Sequence, residues 1–275
     1  MNVFVTASNS YYQQVRDYLV GSAKKCGGFD KVLCYDVDSM IDEGFRRKNA
    51  EILSEKRGAG LWLWKVYFIE KAFREECKEG DFLFYCDAAS YFFRSAKPML
   101  DSIMQDVFAV NVPYKEEEYT KKEAFDILDL HGDIYEKTRQ FHASFMGFKK
   151  NPLTETFINE WFTLCQNKEI LCDMMDKTEQ KSNFIDHRFD QSIFSLLCKK
   201  YKIIPSPDPS QWGINPYPPI KGATYMPIKR EEVNKGYFCI MLHKSREINF
   251  SKRLKLWLVF VKRYFEGKFN ESSHE

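Results

Sequence analysis

Asp81-Phe82-Leu83-Phe84-Tyr85-Cys86-Asp87-Ala88-Ala89-Ser90 is apolar from Phe82 to Cys86 and then breaks into one carboxylate followed by small residues. A run apolar at every position, rather than at alternate ones, suits a strand covered on both faces, as at the centre of a parallel sheet. The ends of such strands are where open α/β sheets bind ligands. The stretch therefore predicts a central strand that delivers Asp87 to a binding crevice.

Strand and helix signals alternate on either side of it. Val3 to Thr6 reads as a first strand, and a helix is predicted from Tyr11 to Lys25, ended by Gly27-Gly28. Lys31 to Tyr35 reads as a second strand, followed by a polar helical stretch over 39–56 that Gly58 and Gly60 close. Trp62, Val66, Ile69, Phe73 and Cys77 fall near helical spacing, which predicts a helix over 62–78 with Trp62 in the core. Beyond the central strand, Val107 to Val112 reads as a strand and Lys115 to Glu136 as a charged, mobile excursion carrying a helix over 121–130. Phe141 to Phe148 reads as a strand, and Asn151-Pro152 opens a helix to Gln166. A helix over 190–201, a loop rich in proline (Pro205, Pro207, Pro209, Pro216, Pro218, Pro219) and a strand over 238–242 follow. This βαβα rhythm predicts an α/β fold, a mostly parallel sheet with helices on both faces. The expected organisation is one domain over 1–249 and a C-terminal appendage over 250–275.

Composition narrows the function classes. The chain of 275 residues is 44% hydrophobic and 29% charged, which suits a globular protein, and its net charge of +2 argues against a general nucleic-acid binder. Met1-Asn2-Val3-Phe4-Val5-Thr6 lacks the layout of a signal peptide, and no apolar stretch approaches the roughly 20 residues that cross a bilayer. None of the 8 cysteines forms a Cys-x-x-Cys pair, and Cys86, Cys198 and Cys239 sit in apolar runs. The expectation is a soluble cytoplasmic protein.

Several residues invite a chemical reading beside a structural one. Asp87 either caps the turn after its strand or faces a ligand. Asp190 and Gln191, in Asp186-His187-Arg188-Phe189-Asp190-Gln191, fall in the first turn of a helix. There an acid either complements the helix dipole or, with the amide, faces a ligand. Lys65, in an apolar setting, needs an anionic partner: a diphosphate or Asp87 itself. Arg57 beside Gly58 approaches phosphate oxygens or ends a helix in solvent. His243, at the end of Ile240-Met241-Leu242, is either structural or a metal ligand, with Lys244 next to it.

Gly60-Leu61-Trp62-Leu63-Trp64-Lys65, the Asp81–Ser90 stretch, Phe145-Met146-Gly147-Phe148 and His187-Arg188-Phe189-Asp190-Gln191-Ser192, in that order, resemble bacterial surface-polysaccharide glycosyltransferases of the GT-A (Rossmann-like) fold. The resemblance covers most of 1–245 and extends distantly to glycogenin-like and galactosyl or mannosyl transferases. It implies a nucleotide-sugar donor, most often a UDP-sugar, and a glycan or lipid-linked acceptor. Asp87 then stands where the family carries Asp-x-Asp, whose carboxylates hold a divalent cation, Mn²⁺ or Mg²⁺, against the departing diphosphate. This chain has Ala89 at the second position. The resemblance makes His243 the partner ligand, and puts Lys65, Arg57 and Lys244 near the diphosphate and Thr6-Ala7 at the nucleotide. Asp190 and Gln191 become catalytic or positioning groups, a retaining outcome being preferred, and His142-Ala143-Ser144 falls on the acceptor side. The rival is a binding protein that keeps the fold without activity.

Ser251 to Phe269 mixes Leu254, Trp257, Leu258, Val261 and Phe265 with Lys252, Arg253, Lys255, Lys262, Arg263 and Lys268. Such a helix either lies on an anionic membrane or packs onto the domain with its lysines in water.

Overall fold

The strands carry alternating side chains into two separate cores, and that alternation explains why their sequences are apolar at every position. The computed structural model describes residues 1–173, 179–213, 221–226 and 237–272, and at 263 and 266–272 the backbone only. Pro216, Pro218 and Pro219 lie outside the described residues, as do the side chains of Arg263 and Lys268.

In chain order the main elements are β1 (Asn2–Ser8), α1 (Gln13–Ser22), β2 (Lys31–Asp36), α2 (Leu63–Glu76), β3 (Phe82–Cys86), β4 (Ser90–Phe92) and α3 (Lys97–Asp101). There follow β5 (Val107–Phe108), β6 (Asn111–Lys115), β7 (Arg139–Phe141), β8 (Phe145–Lys149), α4 (Pro152–Cys165), α5 (Asp190–Lys200), β9 (Ile240–Leu242) and α6 (Phe250–Ser272). The central sheet has the order β2-β1-β3-β8-β5. β1 is parallel to both β2 and β3, whereas β8 is antiparallel to β3 and to β5. Only β8 therefore runs against the others.

Val3, Val5, Leu83, Tyr85, Met146 and Phe148 face one core, which α2, α4 and α5 cover with Val66, Ile69, Phe157, Trp161 and Phe194. Phe4, Phe84, Cys86, Phe108 and Phe145 face the other, against Leu19 and Ala23 near α1 and Met99 and Leu100 of α3. Burying so much aromatic and branched surface on both sides at roughly 25 cal/mol per Å² makes this sheet the rigid centre of the molecule. The expected mostly parallel α/β architecture, with helices on both faces, is the one observed.

Two expectations need correcting. The predicted strands over 107–112 and 141–148 each divide between sheets: β5 and β8 stay in the central sheet, while β6 and β7 pair as a separate antiparallel ribbon. The break after β7 leaves His142-Ala143-Ser144 as a turn at the sheet end. The charged stretch after Lys115 is no mobile excursion, for Glu116, Glu117, Glu118, Thr120 and Lys121 are all buried. Glu116 accepts hydrogen bonds from Thr120 Oγ1 at 2.5 Å, Gln140 Nε2 at 3.1 Å and Ser195 Oγ, and pairs with Lys199 Nζ at 2.6 Å. Charge here is consumed internally rather than offered to water.

α4 begins as its sequence predicts: Asn151 and Thr154 form a capping box, with Pro152 in the first turn. α6 packs back on the domain, Phe260 joining Val15, Tyr91, Phe238, Met241 and Ile248. Among the described residues no helix is long and apolar enough to cross a membrane.

Candidate active site

Asp87 leaves the end of β3 beside a cavity of about 370 Å³. Its N–H donates to Ser144 O at 2.7 Å, which ties the residue to the turn between β7 and β8. Tyr85 Oη donates to Asp87 Oδ1 at 2.7 Å, and Lys65 Nζ lies 3.4 Å from the same oxygen. The turn that follows is closed by Ser90 Oγ donating to Asp87 O at 2.5 Å, so the carboxylate is not its cap. Oδ1 is held by protein donors, and the side chain, 33% exposed, lines the cavity.

Lys65 is 4% exposed in the first turns of α2 and reaches a second carboxylate, with Nζ 3.0 Å from Asp190 Oδ2. It also donates to Ala143 O at 3.1 Å. The Asp190 contact is an ion pair without an aligned hydrogen bond, so Oδ2 is buried with no directed donor. Burial opposes the Lys65 charge, but the two carboxylates outweigh it and hold its pKa above the ordinary value. Burial pushes the Asp190 carboxyl up to about 6, against the attraction of Lys65. One buried ammonium thus faces two carboxylates, of which Asp87 opens on the cavity and Asp190 is enclosed behind it.

The backbone around this trio is strained. Gly58, Ala59, Gly60, Leu61 and Trp62 all have positive φ, with Ala59 at 51°, Leu61 at 53° and Trp62 at 60°. A left-handed residue other than glycine costs about 1–2 kcal/mol. The two glycines make the turn feasible: a Cβ on Gly58 would lie 2.3 Å from the Trp62 ring, and one on Gly60 would lie 2.9 Å from Leu53 Cα. Trp64 Nε1 donates to Gly58 O at 2.8 Å and fastens the turn. Phe189, directly before Asp190, has φ 51° and ψ −125°, another unfavourable conformation for a bulky residue. Strain held in place by its surroundings tends to gather at functional sites. Trp62 is not the core residue expected: it is half-buried, lines the cavity and lies 5.4 Å from the Phe189 ring.

The other candidate residues divide. Ala7 and Ser8 line the cavity, whereas Thr6 is fully buried and donates its hydroxyl to Cys86 O at 2.8 Å. Arg57 is taken up by two carboxylates, Asp173 at 2.9 Å and Asp186 at 2.8 Å, with its guanidinium 4.6 Å from the Phe189 ring centre. Gln191 bridges to the neighbouring turn, donating to Gln140 Oε1 at 2.7 Å and accepting from Ala143 N–H at 3.3 Å. His142 is buried, its Nδ1 accepting from Ser144 N–H at 3.1 Å, and burial pushes its pKa down to about 3. Lys244 is exposed.

Tyr85 and Arg246 escaped the sequence reading, as did the backbone role of Ala143 and Ser144. Tyr85 lies two residues before Asp87, so the period of two along a strand could have placed it on the same face. Ser144 and Ala143 act through backbone carbonyls, which carry no side-chain signal. Arg246 stacks 3.7 Å over Tyr11, a cavity-lining ring, through contacts that span the whole chain.

His243 N–H donates to Ala89 O at 2.9 Å, so β9 brings this histidine beside the Asp87 turn. Both ring nitrogens are buried without a hydrogen-bond partner, and burial lowers the pKa to about 4, which keeps the ring neutral. A neutral imidazole keeps one ring nitrogen able to accept, a donor type that suits Mn²⁺ or a similar divalent ion. Among the described residues no group of three or more His, Cys, Asp or Glu could hold a metal. His243 reaches the Asp87 turn through its backbone, and the described residues supply no complete ligand set.

No family model matches the chain, and no curated protein matches its sequence. Among solved structures, the apo form of the bifunctional glycosyltransferase WbbM is similar over 77% of this chain at 12% identity and a TM-score of 0.46. The chain spans 40% of that protein's length. Apo mouse xyloside xylosyltransferase 1 is similar over 74% of this chain and 83% of its own, at 10% identity and a TM-score of 0.41. Likenesses this distant do not bear on the chemistry, which has to be argued from the site.

Proposed function

We propose that the chain is a glycosyltransferase that moves a sugar from a nucleotide donor, a UDP-sugar in the first instance, to a glycan or lipid-linked acceptor of a surface polysaccharide. The observation that carries the reading is the Asp87–Lys65–Asp190 trio, one ammonium between two carboxylates, flanked by strained backbone and opening on a cavity at Asp87. The motif resemblance supplies the reaction class.

In this reading the nucleotide enters along Ala7, Ser8 and Tyr11. Asp87 and His243 would hold a divalent cation, which when bound would offset charge on the departing diphosphate. Tyr85 and Lys65 keep Asp87 from rotating, so its second oxygen stays aimed at the donor. Lys65 carries its positive charge between the two carboxylates and orients Asp190 toward the sugar. Gln191 fixes the turn that holds Lys65 and Asp87 in register. A retaining outcome is the preferred stereochemistry. Contact with the inner face of a membrane through 250–269 would bring the enzyme to a lipid-linked acceptor.

Ala89, in place of a second carboxylate, favours the alternative of a nucleotide-sugar or glycan-binding protein without turnover. Thermal-shift screening with UDP-, GDP- and CMP-sugars, with and without Mn²⁺, tests the reading. A bound donor raises the melting temperature by mass action, and a hundredfold excess over Kd contributes about 2.7 kcal/mol. The proposal expects one base class to stabilise the protein more strongly with Mn²⁺. Stabilisation by none of them would overturn it.

A further inference from the structure

α6 carries more apolar surface than its packing uses. Leu256, Phe260 and Tyr264, at helical spacing, anchor it against the cluster around Tyr91 and Met241. A neighbouring stripe faces solvent: Phe250 is 72% exposed, Leu254 46%, Trp257 45%, Leu258 56% and Phe265 54%. At 100° per residue these five fall within roughly a third of the helix circumference, which makes them one continuous face. A helix that merely decorates a domain would present polar residues there. Exposed apolar surface of this extent marks a contact site.

Charge identifies the occupant. No acidic residue occurs between Phe250 and Phe265, while Lys252, Arg253, Lys255, Lys262 and Arg263 do. Lys255 and Lys262 border the apolar stripe on one side. On the other, the stripe runs into a groove of about 630 Å³ shared with the end of α1, lined by Tyr18, Lys25, Phe93, Phe250, Leu254 and Trp257. Lys25 in that lining and Lys24 before it are exposed, and Arg253 donates to Tyr18 Oη at 3.0 Å. The one carboxylate at the groove, Asp17, lies 3.6 Å from Arg16 Nε. An apolar strip with a tryptophan, bordered on both sides by cations, matches the boundary of a bilayer whose headgroups are anionic.

We propose that α6, the C-terminal end of α1 and the helical turn after it (Ala23–Gly27) form a single docking face for an anionic lipid bilayer. Phe250, Leu254, Trp257, Leu258 and Phe265 enter the headgroup boundary, and Lys24, Lys25, Lys255 and Lys262 meet lipid phosphates. The face thus includes an element about 230 residues away in sequence from the amphipathic segment, which the sequence reading did not join to it. It deepens the membrane contact of the proposed function, yet its test needs no turnover, so the two stand or fall separately.

The test is co-sedimentation of the full chain with vesicles of phosphatidylcholine alone and with about a third phosphatidylglycerol. Expected is binding to the anionic vesicles, little to the neutral ones, and a loss of at least about tenfold at high salt. Leu258→Glu, at an exposed position, should abolish binding with unchanged circular dichroism, and Lys24→Glu with Lys25→Glu should weaken it about tenfold or more. Equal binding to both vesicle types, no binding to anionic vesicles, or undiminished binding by Leu258→Glu would overturn the proposal. So would a concentration-dependent dimer that Leu258→Glu disperses while vesicles leave the protein in solution.

Discussion

Lys199 and Lys65 each carry an ammonium group into the interior to meet carboxylates, but their surroundings differ. Glu116, opposite Lys199, also takes hydrogen bonds from Thr120, Gln140 and Ser195 and is fully enclosed. Burial dominates at Lys199 and lowers its pKa. Lys65 meets two carboxylates, its pKa is raised, Asp190 Oδ2 lacks a directed donor, and Asp87 opens on a cavity. The first cluster satisfies itself and serves the fold. The second remains short of positive charge, in strained backbone, and is built to receive something.

Substitutions should separate the two clusters, the largest effect falling at the site. Lys65→Met should lower transfer by about a thousandfold, the scale seen when a preorganised charge is removed from a reacting centre. The variant should still fold, because Asp190 can take up a proton to relieve the unpaired charge. Initial rates and circular dichroism on the same sample check both halves. Lys199→Met should do the reverse: about 3–5 kcal/mol of stability lost in urea unfolding, as when one partner of a buried pair is deleted, with turnover per folded molecule unchanged.

Tyr85→Phe should have a smaller effect, about tenfold in kcat, since it removes one hydrogen bond to a charged group while Lys65 still holds Asp87. A rise in KM for the metal alone would instead mean that Tyr85 shapes affinity.

The mildest effect should be on pH dependence. The folded pKa of Asp190, about 6, lies above its ordinary value of 3.8. Its contribution to stability is therefore complete below the unfolded value and is lost as pH rises through about 6. The stability difference between wild type and Asp190→Asn should shrink from pH 4 to pH 7 in denaturant titrations. If ionised Asp190 positions the sugar, turnover should rise across the same interval.

Much of this was legible in the sequence wherever local rules act. The central strand, the capped start of α4 and the helix opening at Asp190 follow from periodicity and capping residues close together in the chain. Asp87, Lys65 and Asp190 were each legible as candidates, and Lys65 as a group needing an anionic partner, which the structure supplies in both carboxylates. What escaped depends on distant contacts. The buried fate of Glu116–Glu118 is decided by Gln140, Ser195 and Lys199, so a charged run looked like a solvated one. Trp62 sits at the edge of the core rather than inside it because the glycines at 58 and 60 allow a left-handed turn that helical spacing does not encode. Thr6 spends its hydroxyl on Cys86 O, and Arg57 its guanidinium on Asp173 and Asp186.

The most direct measurement is hydrolysis of the stabilising nucleotide sugar by wild type and Asp87→Asn, each with and without Mn²⁺. Loss of the carboxylate removes the charge that holds the cation while leaving Tyr85 and Lys65 in place. The account predicts Mn²⁺-dependent turnover in wild type and a fall of at least about a hundredfold in the variant. Equal turnover in the two proteins, or wild-type turnover indifferent to the metal, would contradict it.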